Sequence, residues 1–579
     1  MKLKAALLTA SMGAAAISGA ASAQNVQYNA YGAGASLPAN YVRQAADCYG
    51  VKTDLIFRGS TTPVEIADFV YTGSPAFDCS TDIVKSDAKI SYISTGSGGG
   101  IQTFFSHDRT VPGDSNLDAA GVQNFATFTF ALSETSLGQT EVNIYNNGGT
   151  NSTVTANVAA PGVTPGSGQY VNPNQAYGPM VQVPFLIAPV TIAFDPVYKK
   201  VRVAPGSGNA GDDLSIQEYS LNLYFTRADG SGGLRLDAAA VCAIFNGQIT
   251  NWNDVALRRL NGNRSLQDPS DTGAFSVPLQ IVGRQDSSGT SSLWTRYLAN
   301  ACEGTTGNSY NDSTSRIPGT YVDASGTTRT TTIAPGGSDL AGVVYLKANP
   351  NTAVSGEVLG TYTLADGNDG VAKYLDFTRV PTGVLGSTVV QGRIGYLGPD
   401  FALPAVLTTA ANDFNLMTAD VKNAAGNFRA PTSRNAANAY TVTPPQSNAD
   451  GSFNAAGTGS RANPANWVEA ASKTSAIANP THNAAYPIVG TTNLLTYTCY
   501  KSNNNRVPLT GFMNWYFGSG TVNNPNLGLL TQSGFSPLPP AWRKAIRETF
   551  TYGTYPALSS LKIVTKGSAT HCASSMIGG

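Results

Sequence analysis

Ser94-Thr95-Gly96-Ser97-Gly98-Gly99-Gly100-Ile101-Gln102-Thr103-Phe104 sets a glycine-rich turn directly before a segment that starts a helix. Amide groups at such a start are free of intrahelical partners and lie at the positive end of the helix dipole. A flexible linker is the plain alternative, and no Lys-Ser or Lys-Thr follows to make a P-loop. Outward from this stretch, Asn25 to Phe130 alternates short apolar runs such as Thr53 to Phe57 with glycine-rich turns and helix-like segments such as Tyr41 to Cys48. That alternation predicts an α/β fold.

The same pattern continues downstream with interruptions. Gly138 to Gly178 is rich in Asn, Gly, Thr and Pro and reads as an inserted surface loop or hairpin, after which Val181 to Phe194 is strongly apolar. Leu236 to Leu260 has helical spacing broken at Asn246-Gly247, which predicts two short helices, the second capped by an Asn of Asn251-Trp252-Asn253. Thr305 to Ser338 and Arg434 to Thr474 have few large apolar residues and read as decorations. Apolar strands are expected at Ile394 to Leu397 and Tyr486 to Val489, and a last amphipathic helix at Trp542 to Thr549.

Lys2 and Lys4, a small apolar stretch from Ala5 to Ala20, and Ala21-Ser22-Ala23 before Gln24 read as a signal peptide over residues 1–23. No later run is apolar and long enough for a membrane span. The 579-residue chain exceeds the ~250 to 300 residues at which one core stops growing, so at least two lobes are expected. Lys plus Arg is 36 and Asp plus Glu is 36, which gives no electrostatic case for nucleic acid or an anionic membrane.

Cys48, Cys79, Cys242, Cys302, Cys499 and Cys572 form an even set in an exported chain and point to disulfides. Six cysteines allow fifteen connectivities; pairing sequence neighbours keeps each bridge within one region and is the pairing expected. His107, His482 and His571 are scattered and lack ligand spacing, so no metal and no cofactor are expected.

Besides 94–104, three stretches supply groups for an anion. Gly32-Ala33-Gly34-Ala35-Ser36-Leu37-Pro38 offers a bend and a hydroxyl, or else a turn in which Ser36 caps a helix. Phe130-Ala131-Leu132-Ser133-Glu134 places a carboxylate after an apolar run, where a solvated loop position is the ordinary outcome. Arg284-Gln285-Asp286-Ser287-Ser288-Gly289-Thr290 combines a cation with hydroxyls ahead of Leu293, Trp294, Tyr297 and Leu298 at helical spacing. Arg284 suits a bidentate oxyanion contact with Asp286 holding the guanidinium, although a capped helix with a surface ion pair has the same pattern.

Taken in order and spacing, these stretches resemble the periplasmic phosphate-binding component of high-affinity phosphate ABC transporters and, more distantly, the DING phosphate-binding proteins. The resemblance extends through Val181-Gln182-Val183-Pro184, Ile244-Phe245-Asn246-Gly247 with Trp252, Ile394-Gly395-Tyr396, Tyr486-Pro487-Ile488 and Gly534-Phe535-Ser536-Pro537-Leu538-Pro539. It implies a two-lobed α/β fold of the type II periplasmic-binding-protein kind, with the ligand in the interlobe cleft and long polar insertions added. The lobes implied are 24–184 with 486–579, and 185–485. The ligand shell implied is Ser36, Leu37, Ser97, Glu134, Arg284, Ser288, Gly289 and Thr290, with Asp286 orienting Arg284. The family has Asp where this chain has Glu134, and Thr-Phe where it has Ser36-Leu37. A binder of inorganic phosphate that serves a membrane permease, is not an enzyme, and resides in the periplasm, at the cell surface or outside is the function expected. Two alternatives stand beside it. A secreted phosphatase would need clustered metal ligands, and a surface or scaffold protein would give the polar insertions a use.

Overall fold

The computed structural model describes residues 28–51, 84–107, 128–151, 170–202, 215–227, 233–245, 249–272, 276–284, 288–302, 362–365, 367–376, 392–402, 416–446, 460–475, 477–518, 525–552 and 561–579, with short pieces at 56–57, 70–71, 77–79, 155–156, 158–159, 319–322, 328–331 and 414. The expected signal peptide and Asp286 lie outside these residues. In chain order the strands that build the two main sheets are β1 (Tyr28–Gly34), β2 (Ile56–Phe57), β3 (Ala88–Ser94), β4 (Phe130–Ser133), β5 (Met180–Pro189), β6 (Thr191–Phe194), β7 (Leu279–Arg284), β8 (Tyr362–Ala365), β9 (Gly392–Leu397), β10 (Met417–Thr418) and β11 (Val489–Tyr497). The helices around them are α1 (Ala39–Tyr49), α2 (Gly96–Ser106), α3 (Gln139–Asn147), α4 (Ala238–Phe245), α5 (Val255–Leu260), α6 (Gly289–Ala301), α7 (Gly367–Leu375), α8 (Pro399–Ala402), α9 (Pro464–Ser475) and α10 (Asn503–Tyr516).

Two sheets organise the chain. The first has the order β5-β11-β4-β1-β3-β2, parallel at β1, β2, β3 and β4, with β11 antiparallel to both β4 and β5. The second has the order β8-β7-β9-β6-β10, parallel at β7, β8 and β9, with β6 antiparallel to β9 and β10. The apolar run from Met180 to Phe194 feeds both sheets, since β5 ends at Pro189 in the first and β6 starts at Thr191 in the second. Strands buried on both faces tolerate such continuous apolar sequence. In each sheet two later strands pair on opposite sides of an earlier one: β3 and β4 flank β1, and β8 and β9 flank β7. Ligands of open α/β sheets bind outside the carboxyl ends of strands at such switch points.

Three bridges join Cys48 to Cys79, Cys242 to Cys302 and Cys499 to Cys572, the sequence-neighbour pairing. Each closes a loop of 31 to 73 residues, for which loss of unfolded-chain entropy contributes about 4 kcal/mol in the loop-closure account.

Five local expectations are corrected. The strand expected at Tyr486 to Val489 begins only at Val489 and runs to Tyr497 as β11. Ser36 does not cap α1, whose first turn follows Pro38 and takes no side-chain cap. The cap of α5 is Asp254, whose Oδ1 accepts the Ala256 amide at 2.7 Å, while Asn251 only stabilises the turn before it. Within 138–178 lies the helix α3, started by Glu141 reaching back to accept the Gly138 amide at 2.9 Å and anchored by Tyr145 stacked on Phe104. Within 434–474 lies α9, which buries Trp467, Val468 and Ala471 against β5 and β11 and is core rather than decoration. The amphipathic stripe outweighed the polar composition around it.

Candidate functional site

The polar groups that converge between the two sheets leave the carboxyl ends of parallel strands. From the first sheet, Ser36 and Leu37 follow β1, Ser97 follows β3, and Glu134 follows β4. From the second, Arg284 ends β7, Asn368 follows β8, and Gly398 follows β9. The elements then meet: Ser36 and Arg284 are each 2% exposed, Ser97, Glu134 and Thr290 1%.

Local packing fixes where each group points. The Ala35 amide donates to Leu132 O at 2.8 Å and the Tyr92 hydroxyl donates to Ala35 O at 2.7 Å, so the peptide ahead of Ser36 is held from two neighbouring strands. Gly34 sits at φ 130°, in the region open to glycine. The glycine-rich stretch is not a loop but the first turn of α2, and at Gly100 a Cβ would lie 2.6 Å from Gly34 Cα, so the helix start approaches β1 closely because it carries no side chain there. On the other sheet, Ser288 Oγ accepts the Ser291 amide at 3.1 Å and caps α6. Tyr396 on β9 receives the Arg284 amide at 3.3 Å, shares a 2.7 Å bond with Ser291 Oγ and stacks on Trp294, which ties β7, β9 and α6 together under the arginine.

Two knots of hydrogen bonds result. In the first, Arg284 Nη2 donates to Ser36 Oγ at 2.8 Å and Nη1 donates to Thr290 Oγ1 at 3.1 Å. Asn368 Nδ2 donates to the same two oxygens, at 2.9 and 3.3 Å. In the second, Ser97 Oγ donates to Glu134 Oε2 at 2.6 Å and Thr492 Oγ1 on β11 donates to Glu134 Oε1 at 3.0 Å. Gly289 lies against this second knot: a Cβ there would be 2.3 Å from Ser97 Oγ and 2.6 Å from Glu134 Oε2. Gly289 and Thr290 are consecutive, so the start of α6 joins the two knots. Leu37 meets the second sheet through its carbonyl, which a Cβ on Gly398 would approach to 2.3 Å.

Burial pushes the Glu134 carboxyl up from its ordinary range, and the hydroxyls of Ser97 and Thr492 with the charge of Arg284 pull it back. Asp400 on α8 accepts the Tyr41 amide of α1 at 3.3 Å, and burial pushes its carboxyl well up against the pull of amides including those of Tyr41 and Asn40. Asp369, beside Asn368, is held at about 6 by burial, opposed by Lys373.

Sequence reading missed Asn368, Thr492 and Asp400. Asn368 sits in Asp366-Gly367-Asn368-Asp369-Gly370, which reads as an ordinary turn; Thr492 sits in a strand whose threonines and asparagine hide its burial. Only the pairing across sheets gives these residues meaning. The arrangement supplies one guanidinium, hydroxyls and helix-start amides as donors and one carboxylate as acceptor, the complement of a small tetrahedral oxyanion that carries a proton. Among the described residues no group of three or more His, Cys, Asp or Glu is placed to hold a metal, and no helix is long and apolar enough to cross a membrane.

The family described as PBP superfamily domain matches residues 18–381. Among curated proteins, a phosphate-binding protein of an unknown prokaryotic organism is 28% identical over 337 residues, covering 57% of this chain and 70% of the relative. Alkaline phosphatase L of Pseudomonas aeruginosa is 26% identical over 470 residues, covering 81% of this chain and 83% of the relative. Among solved structures, a high affinity periplasmic phosphate-binding protein, PfluDING, bound with phosphate, superposes with a TM-score of 0.50 at 20% identity, covering 94% of this chain and 99% of that one. That last likeness bears on the fold.

Proposed function

The chain belongs to the PBP superfamily, and from that membership and the site's donor set we propose that it captures inorganic phosphate between two lobes and hands it to the membrane permease of an ABC importer. Residues 24–184 with 486–579 form one lobe in this reading, with α9 added to it, and the remainder of 185–485 forms the other. The observation that carries the proposal is the arginine fork of Arg284, which reaches a hydroxyl from each sheet while Glu134 waits beside it as the one acceptor.

In this reading Ser36, Leu37, Ser97, Glu134, Arg284, Ser288, Gly289 and Thr290 surround the ion. Asp286, which lies outside the described residues, has in this reading the part of orienting Arg284. A single guanidinium does not neutralise a phosphate dianion, so neutral donors fixed at the strand and helix ends do most of the binding. Glu134 accepts the proton of a monohydrogen phosphate; fully ionised sulfate presents lone pairs to it instead. The names of the relatives support the ligand class, and an exported, periplasmic setting is part of the same proposal. Titration of the purified mature chain with phosphate and with sulfate tests the proposal: tight heats for phosphate alone are expected, and equal heats for both ions would defeat the role of Glu134.

A second reading is phosphoester hydrolysis, favoured by the relative named alkaline phosphatase L, which aligns over 81% of this chain. In the first reading the protein is a binder and not an enzyme. Turnover of p-nitrophenyl phosphate, with and without added divalent cations, separates the two.

A further inference from the structure

A hydroxyl oxygen has two lone pairs and one proton, so its role in a site is undecided until its neighbours are counted. At Ser36 Oγ both lone pairs are taken, by Arg284 Nη2 at 2.8 Å and by Asn368 Nδ2 at 2.9 Å. At Thr290 Oγ1 both are taken again, by Arg284 Nη1 at 3.1 Å and by Asn368 Nδ2 at 3.3 Å. The four groups close a ring in which two donor residues each serve the same two hydroxyls. Each hydroxyl is then left only its proton to offer.

The direction of the ring depends on which way the Asn368 amide faces. Its Oδ1 accepts the Gly398 amide at 2.9 Å, and a backbone N–H cannot act as an acceptor, so the oxygen is placed there and the two N–H bonds face Ser36 and Thr290. Asn368 is fully buried and its three hydrogen bonds come from three elements, the ends of β1 and β9 and the start of α6.

We propose that Asn368 is a positioning residue of the anion site, which turns Ser36 and Thr290 into obligate donors by filling their second lone pairs. The proposal rests on the reading that the site takes inorganic phosphate. It assigns Asn368 no direct contact with the ion. Arg284 alone would leave each hydroxyl one lone pair free and two rotamers of similar energy, so part of the donor strength would go to reorientation on binding.

Double-mutant cycles read by calorimetry with inorganic phosphate test this. Asn368→Ala is expected to weaken phosphate binding by about 10-fold in the natural chain, the range of one lost neutral hydrogen-bond partner. In a Ser36→Ala background and in a Thr290→Val background its effect should shrink to about 2- to 4-fold, because one of its two targets is gone. The near-isosteric Asn368→Asp should lose about 10³-fold, because a carboxylate accepts both hydroxyl protons and withdraws them from the ion as well as adding charge. A packing role predicts the reverse order, with the isostere milder than alanine. Full additivity in both backgrounds, or the reverse order, overturns the proposal. A natural chain that takes up no phosphate overturns the functional reading alone; the ring is then read in the ligand-free protein from the Asn368 side-chain amide protons, which must shift on both Ser36→Ala and Thr290→Val. Resonances that move with neither substitution overturn it.

Discussion

Arg284 and Ser36 stand 248 residues apart in the chain, at and just beyond the ends of strands of different sheets, yet Nη2 of one donates to Oγ of the other at 2.8 Å in the interior. The bond exists only when the second sheet's carboxyl edge faces the first's. Since the other arm of the guanidinium holds Thr290, the planar fork fits two oxygens at once, a geometry that a lysine ammonium does not reproduce.

Arg284→Ala is therefore expected to reduce phosphate affinity by at least about 10³-fold, the cost of removing the charged member of a buried polar set. Arg284→Lys should recover little of it. Calorimetric titration decides, and a lysine variant within about 5-fold of the natural chain would show that charge rather than the fork is what matters.

Gly289→Ala probes the meeting of the two halves. A Cβ there would lie 2.3 Å from Ser97 Oγ and 2.7 Å from Glu134 Cβ, contacts that only the facing sheet supplies. In the proposed two-lobed reading the clash falls on closure and not on the interior of either sheet, so thermal stability without ligand should change little while phosphate affinity falls by about 10- to 100-fold, the scale of a modest overpacking penalty. Unaltered affinity would place Gly289 outside the closed site.

Much of this arrangement was legible in the sequence because local chemistry and global position agreed. Ser97 and Arg284 stand next to helix starts with glycine and hydroxyl residues, and those same helix starts meet between the two sheets. What stayed hidden depended on partners far along the chain. From its local sequence Glu134 reads as a solvated loop carboxylate, and only the family resemblance places it in the ligand shell; in the folded chain Ser97 and Thr492 each donate to one of its oxygens. Likewise β11 lacks an alternating pattern because it lies buried between β4 and β5 on both faces, so its threonines mark polar contacts inside the core rather than a solvent face. The α9 segment was masked by its flanks, where Asn, Ala and Ser dominate, although Trp467 and Val468 carried the signal.

Glu134→Gln replaces an acceptor-only group by one that donates as well. With Ser97 and Thr492 already donating to the two oxygens, the remaining lone pairs of Glu134 favour a ligand that brings a proton. The amide N–H₂ of glutamine would instead suit an unprotonated sulfate oxygen. The ratio of phosphate to sulfate affinity is expected to fall by about 10²-fold or more, chiefly through tighter sulfate binding. A ratio equal to that of the natural chain in paired titrations sinks the assignment of Glu134 as the proton reader.

Asp369 yields a pH prediction with a definite sign. Burial holds its carboxyl at about 6, above an ordinary 3.8, although Lys373 Nζ lies 3.4 Å from Oδ2 and favours the ionised form. The folded chain thus binds this proton more tightly than the unfolded chain does. The stability it contributes is present in full below pH 3.8 and is lost as pH rises through about 6. Asp369→Asn keeps the shape and removes the titration, so the variant should gain on the natural chain across that window and hold a constant lead above it. A shift of this size corresponds to about 2 to 3 kcal/mol at the plateau, or a few degrees in Tm for a chain of this length. Melting curves for both proteins from pH 3.5 upward in one buffer series measure the difference. A difference that does not change with pH would mean that the carboxyl titrates alike in the folded and unfolded chain, and a lead for the natural protein above pH 6 would mean that the Lys373 pair outweighs burial.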